Sequence, residues 1–310
     1  MEKVLITGCS GLVGTFLVKK CLQQGFKVVG IDIKKSENLP ISENFKFYQA
    51  DLTENKVLSN IFTVEKPNTV FNLFGIKGSP LKAKLQPVDF LRPSLIVNTE
   101  LIDLCATNNT WLVFVSSVGV YAPAEKFTED TVWRTLPGEA DWFPSWSKRI
   151  GELYLEAYKT QTGYNNWAII RPANIFGEFD DFSGNGTVIS TMCKKIYEAQ
   201  KTVEVWGDGS PIRDFVYAED VANAILKLYL RKENVIINFG SGEEITIKSL
   251  VETLIKISGK DLSIIWDTTK PNGDLRRQMD ITKQKELDLL PEIRFKRALK
   301  ITYEYYKNTR

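Results

Sequence analysis

A chain of 310 residues that is 43% hydrophobic can form one large α/β domain, or a large domain with a smaller lobe. Its 40 basic and 38 acidic residues leave a net charge of +2, which gives no bulk pull toward nucleic acid or a membrane surface. With no histidine, histidine acid–base chemistry, Ser-His-Asp hydrolysis and histidine-ligated metals are all excluded.

The first apolar run, Val4-Leu5-Ile6, enters a glycine-spaced turn, Gly8-Cys9-Ser10-Gly11-Leu12-Val13-Gly14, followed by residues with helical spacing from Thr15 to Leu22. Strand, loop and helix in this order suit a dinucleotide pyrophosphate. The glycines allow a tight turn and close backbone approach, and the helix N-terminus offers free N–H groups. A second run, Val28-Val29-Gly30-Ile31, ends in Asp32 about twenty residues on, where an acid accepts hydrogen bonds from the adenosine ribose. Asp32 favours NAD, while Lys34 and Lys35 keep NADP open. Further strands are expected over 45–52, 69–74, 111–117 and 167–171, with a helix over 95–106. Such alternation implies a doubly wound parallel sheet covered on both faces, with ligands at the carboxyl ends of its strands. Those ends carry Gly8, Asp32, Asp51, Leu73-Phe74-Gly75, Ser116-Ser117 and Arg171-Pro172.

Residues 1–171 therefore read as the NAD-binding Rossmann domain, with a segment of about 214–240 returning to it, and 172–310 mainly as a lobe closing a substrate cleft. The four cysteines, Cys9, Cys21, Cys105 and Cys193, lack metal-ligand spacing and read as free thiols. No signal-peptide core precedes the first strand and no apolar run approaches a membrane span, so a cytoplasmic protein is expected.

Several motifs together carry a resemblance. Thr7-Gly8-x-x-Gly11-x-x-Gly14, Ser116-Ser117-x-x-Val120-Tyr121, Lys148, Arg171-Pro172-x-Asn174-x-x-Gly177 and Gly207-x-Gly209-x-x-x-Arg213-Asp214-Phe215-Val216-Tyr217 resemble the extended short-chain dehydrogenase/reductases that act on nucleotide sugars. Gly75-Ile76-Lys77-Gly78 and Val205-Trp206-Gly207 are most similar to the GDP-fucose synthase group within it. The resemblance implies hydride transfer between a nicotinamide and a sugar carbon, usually C4, in a homodimer. It places NAD against Gly8, Ser10, Gly11, Leu12, Val13, Gly14, Asp32, Ile33, Asp51, Leu52, Leu73, Gly75, Ser116, Lys148 and Pro172. It assigns catalysis to Ser117 and Lys148, and nucleotide-sugar binding to Ser117, Asn174, Val188, Arg213 and Arg276, with Arg277 as the alternative to Arg276.

The family's tyrosine, four residues before the lysine, is replaced by Pro144. Three readings stand: proton relay through Lys148, water or substrate by way of Ser117; a tyrosine brought from elsewhere, with Tyr121 nearest in sequence; or lost chemistry. Family epimerisation beside the ketone uses a cysteine and a histidine at positions held here by Gly119 and Thr187, and family dehydration uses an Asp-Glu pair where Val118-Gly119 stands. Simple oxidoreduction at C4 survives. The expected function is a GDP-sugar 4-dehydrogenase making a 4-keto sugar, such as a heptose, for surface polysaccharide. A 4-epimerase, a 4-keto reductase and a catalytically dead NAD-binding protein are the alternatives. Ile150, Leu153, Tyr154, Ala157 and Tyr158 form an apolar stripe at helical spacing, read either as packing on the sheet or as the dimer face.

Overall fold

The computed structural model describes residues 2–76, 78, 80–184, 186–270 and 272–310. Lys77 of the Gly75–Gly78 motif lies outside them. The first half runs β1 (Lys3–Thr7), α1 (Leu12–Gln23), β2 (Lys27–Asp32), β3 (Phe45–Gln49), α2 (Val57–Glu65), β4 (Thr69–Asn72), α3 (Pro80–Leu85), α4 (Pro87–Thr107), β5 (Trp111–Val115), α5 (Trp142–Thr162) and β6 (Trp167–Pro172). Then come β7 (Asn174–Phe176), α6 (Val188–Glu198), β8 (Thr202–Trp206), β9 (Ile212–Arg213), β10 (Phe215–Tyr217), α7 (Ala218–Leu230) and β11 (Ile236–Phe239). The chain closes with β12 (Ile245–Thr246), α8 (Ile247–Ser258), β13 (Ser263–Asp267), β14 (Arg276–Arg277), α9 (Thr282–Glu286) and α10 (Phe295–Asn308).

Seven strands form one sheet in the order β11-β6-β5-β4-β1-β2-β3, every pair parallel. This is the expected doubly wound fold. The strands are apolar on both faces because both are covered. Val4, Ile6, Phe71 and Val113 face the layer containing α1 and α7, while Leu5, Val70, Leu112 and Phe114 face the layer of α2, α4 and α5. Fully burying each such side chain contributes about 1.5–3 kcal/mol.

The strands stop a few residues short of the expected runs, at Gln49, Asn72 and Val115. Residues beyond those points are released into the loops that form the site. The helix expected over 95–106 begins earlier, at Pro87, and carries Pro93 inside it. In the 214–229 segment, three residues form β10 before α7 begins. After β6, β8 pairs with β13, and β9 with β12 and β14, in small sheets outside the main one, while β11 returns to pair with β6 in the main sheet. All four cysteines are buried free thiols.

The apolar stripe of α5 does not lie on the sheet. The buried residues of this helix are Ser145, Ser147, Arg149, Gly151, Glu152 and Leu155, and Leu153 is 56% exposed. Small residues let the helix approach β5 closely: a Cβ on Gly151 would stand 2.5 Å from the Phe114 ring. Tyr154 and Tyr158 instead turn toward α4, each donating its hydroxyl to Asp103 Oδ1 at 2.6 Å.

No helix among the described residues is long and apolar enough to cross a membrane.

Candidate active site

The glycine loop has the form its sequence demands. Gly8 takes φ +66°, and a Cβ on Gly14 would lie 2.2 Å from the Gly8 carbonyl oxygen, so any larger residue there would force the helix off the strand. Thr7 Oγ1 donates to Asn72 Oδ1 and accepts from Leu73 N, which fixes the end of β1 against the end of β4. The Asp32 carboxylate accepts from Ser10 N at 3.0 Å and from Ile33 N at 2.9 Å, which holds it across the loop. Gly11 opens α1 without a side-chain cap, leaving the first-turn N–H groups of Leu12, Val13 and Gly14 outside the helix's own ladder.

The other expected cofactor residues fall around this loop in different states. Leu12, Val13, Leu52 and Pro172 are buried, whereas Ile33 is exposed and Asp51 turns its carboxylate onto Thr53. Leu73 and Gly75 follow β4 directly, with Gly75 exposed. The Ser116 hydroxyl donates to the buried Glu152 at 2.5 Å, which commits its side chain to the core.

Ser117 lies two residues past the end of β5, and Lys148 lies within α5. Ser117 caps a short turn, its Oγ accepting from Gly119 N at 3.1 Å. Lys148 Nζ donates to Phe74 O and Val115 O, both at 2.8 Å, tying α5 to the ends of β4 and β5. Burial pulls its amine down to about 8, against the opposing pull of Glu152 one turn further on. Glu152 does little to hold the proton because Arg171 claims it. Arg171 Nε and Nη2 reach the two Glu152 oxygens at 3.0 and 2.5 Å, and both side chains are fully buried. Sequence reading missed this pair as a unit, although the i, i+4 spacing from Lys148 to Glu152 was a signal.

Pro144 stands in the first turn of α5, where its missing N–H costs little. Tyr121 does not take the vacant role. Its ring is 3% exposed and stacks on Phe127, its hydroxyl donates to Asn238 Oδ1 at 2.5 Å, and Arg171 Nη1 donates to it at 3.0 Å. Burial raises its pKa far above the ordinary tyrosine value despite the nearby arginine. Gly119 is also committed: a Cβ there would stand 2.8 Å from Ser145 Oγ, whose hydroxyl donates to Gly119 O. Thr187 serves as the cap of α6 through its hydroxyl, and Val188 begins that helix with 37% of its surface exposed.

On the lobe side, Asn174 donates Nδ2 to Asp214 O at 2.9 Å, joining β7 to β10. Arg213 donates Nη1 to Ile212 O and Asp274 O and has no carboxylate partner among the described residues. Burial first, then its neighbour Arg277, pull its pKa down to about 10. Arg277 binds Asp274 through Nε and Nη2 at 2.7 and 2.6 Å, and Asp141 through Nη2 at 2.7 Å. Arg276 lies apart, held by Glu125 O and Glu244. Consecutive strand residues face opposite ways, so the structure brings Arg277, not the expected Arg276, to Arg213. Asp141 and Asp274 had no sequence signal.

The NAD dependent epimerase/dehydratase family model matches residues 4–240. The chain belongs to this family. It is 32% identical over 318 residues to a putative GDP-L-fucose synthase 2 of Arabidopsis thaliana, covering 98% of this chain and 91% of that protein. UDP-glucose 4-epimerase of Thermotoga maritima, solved with UDP-glucose, superposes with a TM-score of 0.85 at 25% identity, covering 99% of each chain. The Thermus thermophilus UDP-glucose 4-epimerase in complex with NAD shares the fold at a TM-score of 0.87 and 23% identity, covering 100% of both. This family member is thus an NAD-dependent enzyme of the extended short-chain dehydrogenase/reductase type. Its residues fit that cofactor: the Gly14 cradle, the unclaimed N–H groups of α1 and the Asp32 carboxylate are the features a dinucleotide requires.

Proposed function

We propose that the chain oxidises C4 of a nucleotide-activated sugar, most plainly a GDP-sugar, as a 4-dehydrogenase. What supports this is a chain of contacts: the glycine loop is crossed by Asp32, Lys148 bonds Phe74 O and Val115 O at the neighbouring strand ends, and Asp141, packed beside the Ser117–Gly119 turn, pairs with Arg277. In this reading Gly8, Gly11, Gly14 and the start of α1 hold the pyrophosphate of NAD and Asp32 its ribose. Bound there, NAD+ supplies the hydride acceptor. Ser117 orients the reacting hydroxyl. Lys148 holds the nicotinamide ribose and sets a positive charge beside oxygen as negative charge develops on it. Arg213 and Arg277 clamp the sugar diphosphate, and Asn174 and Val188 line the lobe side. The GDP assignment rests on likeness to the GDP-L-fucose synthases, and a heptose or deoxyhexose destined for surface polysaccharide is the sugar class we assign.

Oxidation is the favoured direction because Asp32 suits NAD, whose cellular pool is held largely oxidised. Gly119 and Thr187 carry no group that exchanges protons beside a ketone, so inversion at C3 or C5 is not part of the reaction. The test is to denature purified protein and identify the released nucleotide, then offer GDP- and UDP-sugars to NAD-loaded protein while following reduced-nicotinamide absorbance. A rise with a GDP-sugar is expected. Inversion at C4 without a rise would make the chain an epimerase, and reduction of a 4-keto sugar with NADPH alone would make it a reductase. NAD bound with neither outcome would leave a cofactor-binding protein.

The outward stripe on α5, continuous with α4 through Tyr154, Tyr158 and Asp103, supports a homodimer built on these two helices. Light scattering at micromolar concentration is expected to give twice the chain mass, and a monomer would remove the proposal.

A further inference from the structure

Turning a sugar hydroxyl into a carbonyl releases a proton, and the two side-chain acceptors suggested by sequence, Tyr121 and Lys148, are engaged elsewhere. Tyr121 is locked between Arg171 and Asn238. Lys148 spends two donors on Phe74 O and Val115 O, and with its amine at about 8 it is mostly charged at neutral pH, without a free lone pair.

Asp141 is a carboxylate beside this site, held by one ion pair, to Arg277, among the described residues. It occupies the cap position of α5 yet makes no capping bond. A Cβ on residue 119 would stand 2.8 Å from Ser145 Oγ, 3.3 Å from Asp141 Cβ and 3.4 Å from Ser117 Oγ, so the glycine lets these three side chains gather around one point. The carboxylate turns to Arg277 Nη2 at 2.7 Å. That guanidinium also serves Asp274, which holds it through two nitrogens whereas Asp141 holds it through one. Arg213 beside them has no acidic partner among the described residues.

We propose that Asp141 accepts the proton by way of Ser117 and that Arg277 is its latch, released when the substrate diphosphate draws Arg277 away. The inference rests on the C4 oxidation proposed above. A diphosphate reaching Arg213 and Arg277 brings further negative charge to a guanidinium already shared by two carboxylates. Repulsion falls on Asp141, which holds the guanidinium through a single nitrogen. Parted from its cation, that carboxylate is free to accept a hydrogen bond from Ser117, so substrate binding creates the acceptor it needs. In the step itself the C4–H electron pair leaves as hydride to the nicotinamide of NAD+, the C4–O bond becomes a carbonyl, and the hydroxyl proton passes through Ser117 to Asp141. The sugar carbon is oxidised and the nicotinamide reduced.

The test compares NAD-loaded wild type with Asp141→Asn by calorimetric titration with GDP and UDP, and by single-turnover hydride transfer. With its competitor neutralised, Arg277 is expected to bind GDP about 5-fold or more tightly, while hydride transfer falls about a hundredfold or more. Equal or weaker GDP binding overturns the latch. Tighter binding with unchanged hydride transfer overturns the proton-accepting role. Asp141→Glu retains a carboxylate and is expected to transfer hydride faster than Asp141→Asn; an equal loss also overturns that role. If wild type oxidises no nucleotide sugar, the parent reading and the proton-accepting role fall together, while the GDP comparison still decides the latch.

Discussion

Arg171→Met is expected to lower the free energy of unfolding by about 3–5 kcal/mol, measured as a shift of the urea midpoint at unchanged slope. Methionine fills much of the volume, so the loss is electrostatic. Glu152 would be left fully buried with the Ser116 hydroxyl as its remaining side-chain partner, and Tyr121 would lose the donor that reaches it from Arg171. The diagnostic comparison is the double variant Arg171→Met with Glu152→Leu. Removing both partners takes away the stranded buried carboxylate, so the double variant is expected to be more stable than the single one. A cost below about 1 kcal/mol for Arg171→Met would show that this pair does not hold the floor of the site.

Lys148→Met should separate binding from chemistry. Hydride transfer is expected to fall about a hundred- to a thousandfold with the loss of the positive charge beside the reacting oxygen, while GDP binding at Arg213 and Arg277 stays near wild type. The variant also has a pH signature. In the folded protein burial lowers the Lys148 amine from 10.5 to about 8. Between those values the unfolded chain carries a proton that the folded chain has lost, so this residue makes wild-type stability rise with pH across that window. Lys148→Met should lack that contribution. Denaturant titrations at several pH values check it; identical slopes in both proteins would mean that the amine is not depressed.

The fold was legible because its signals are local. An apolar strand, a glycine loop that only small residues fit and an acid at the end of β2 can be recognised within a few dozen residues. The strand ends converge because every pair in the sheet is parallel. The site was legible in its backbone and less so in its side chains. Arg276 and Arg277 differ only in strand phase, which sequence does not display; the fold turns one toward Glu244 and the other toward Asp141 and Asp274. Glu152 looks like an exposed helix charge until Arg171, distant in sequence, meets it under the sheet. Tyr121 was the nearest tyrosine to the vacancy, but proximity along the chain says nothing about the partners already holding its hydroxyl. The α5 stripe left sheet packing and dimer face both open because the face touching the sheet is small and polar, and close approach there needs glycine and serine more than leucine.

The path of the chain also limits how this enzyme can be re-engineered or can exchange parts with its relatives. The lobe is not one continuous insert: α7 and β11 interrupt it to complete the main sheet, with Ile237 and Phe239 pairing with β6 and Asp214 reaching across to Ser241 and Gly242. A graft made at a single junction after β6 would import a foreign edge strand together with the foreign lobe. Exchanging the segments outside the main sheet therefore takes two pieces at once, on either side of a retained 218–239, with Asp214 and the 240–242 turn taken from the same donor.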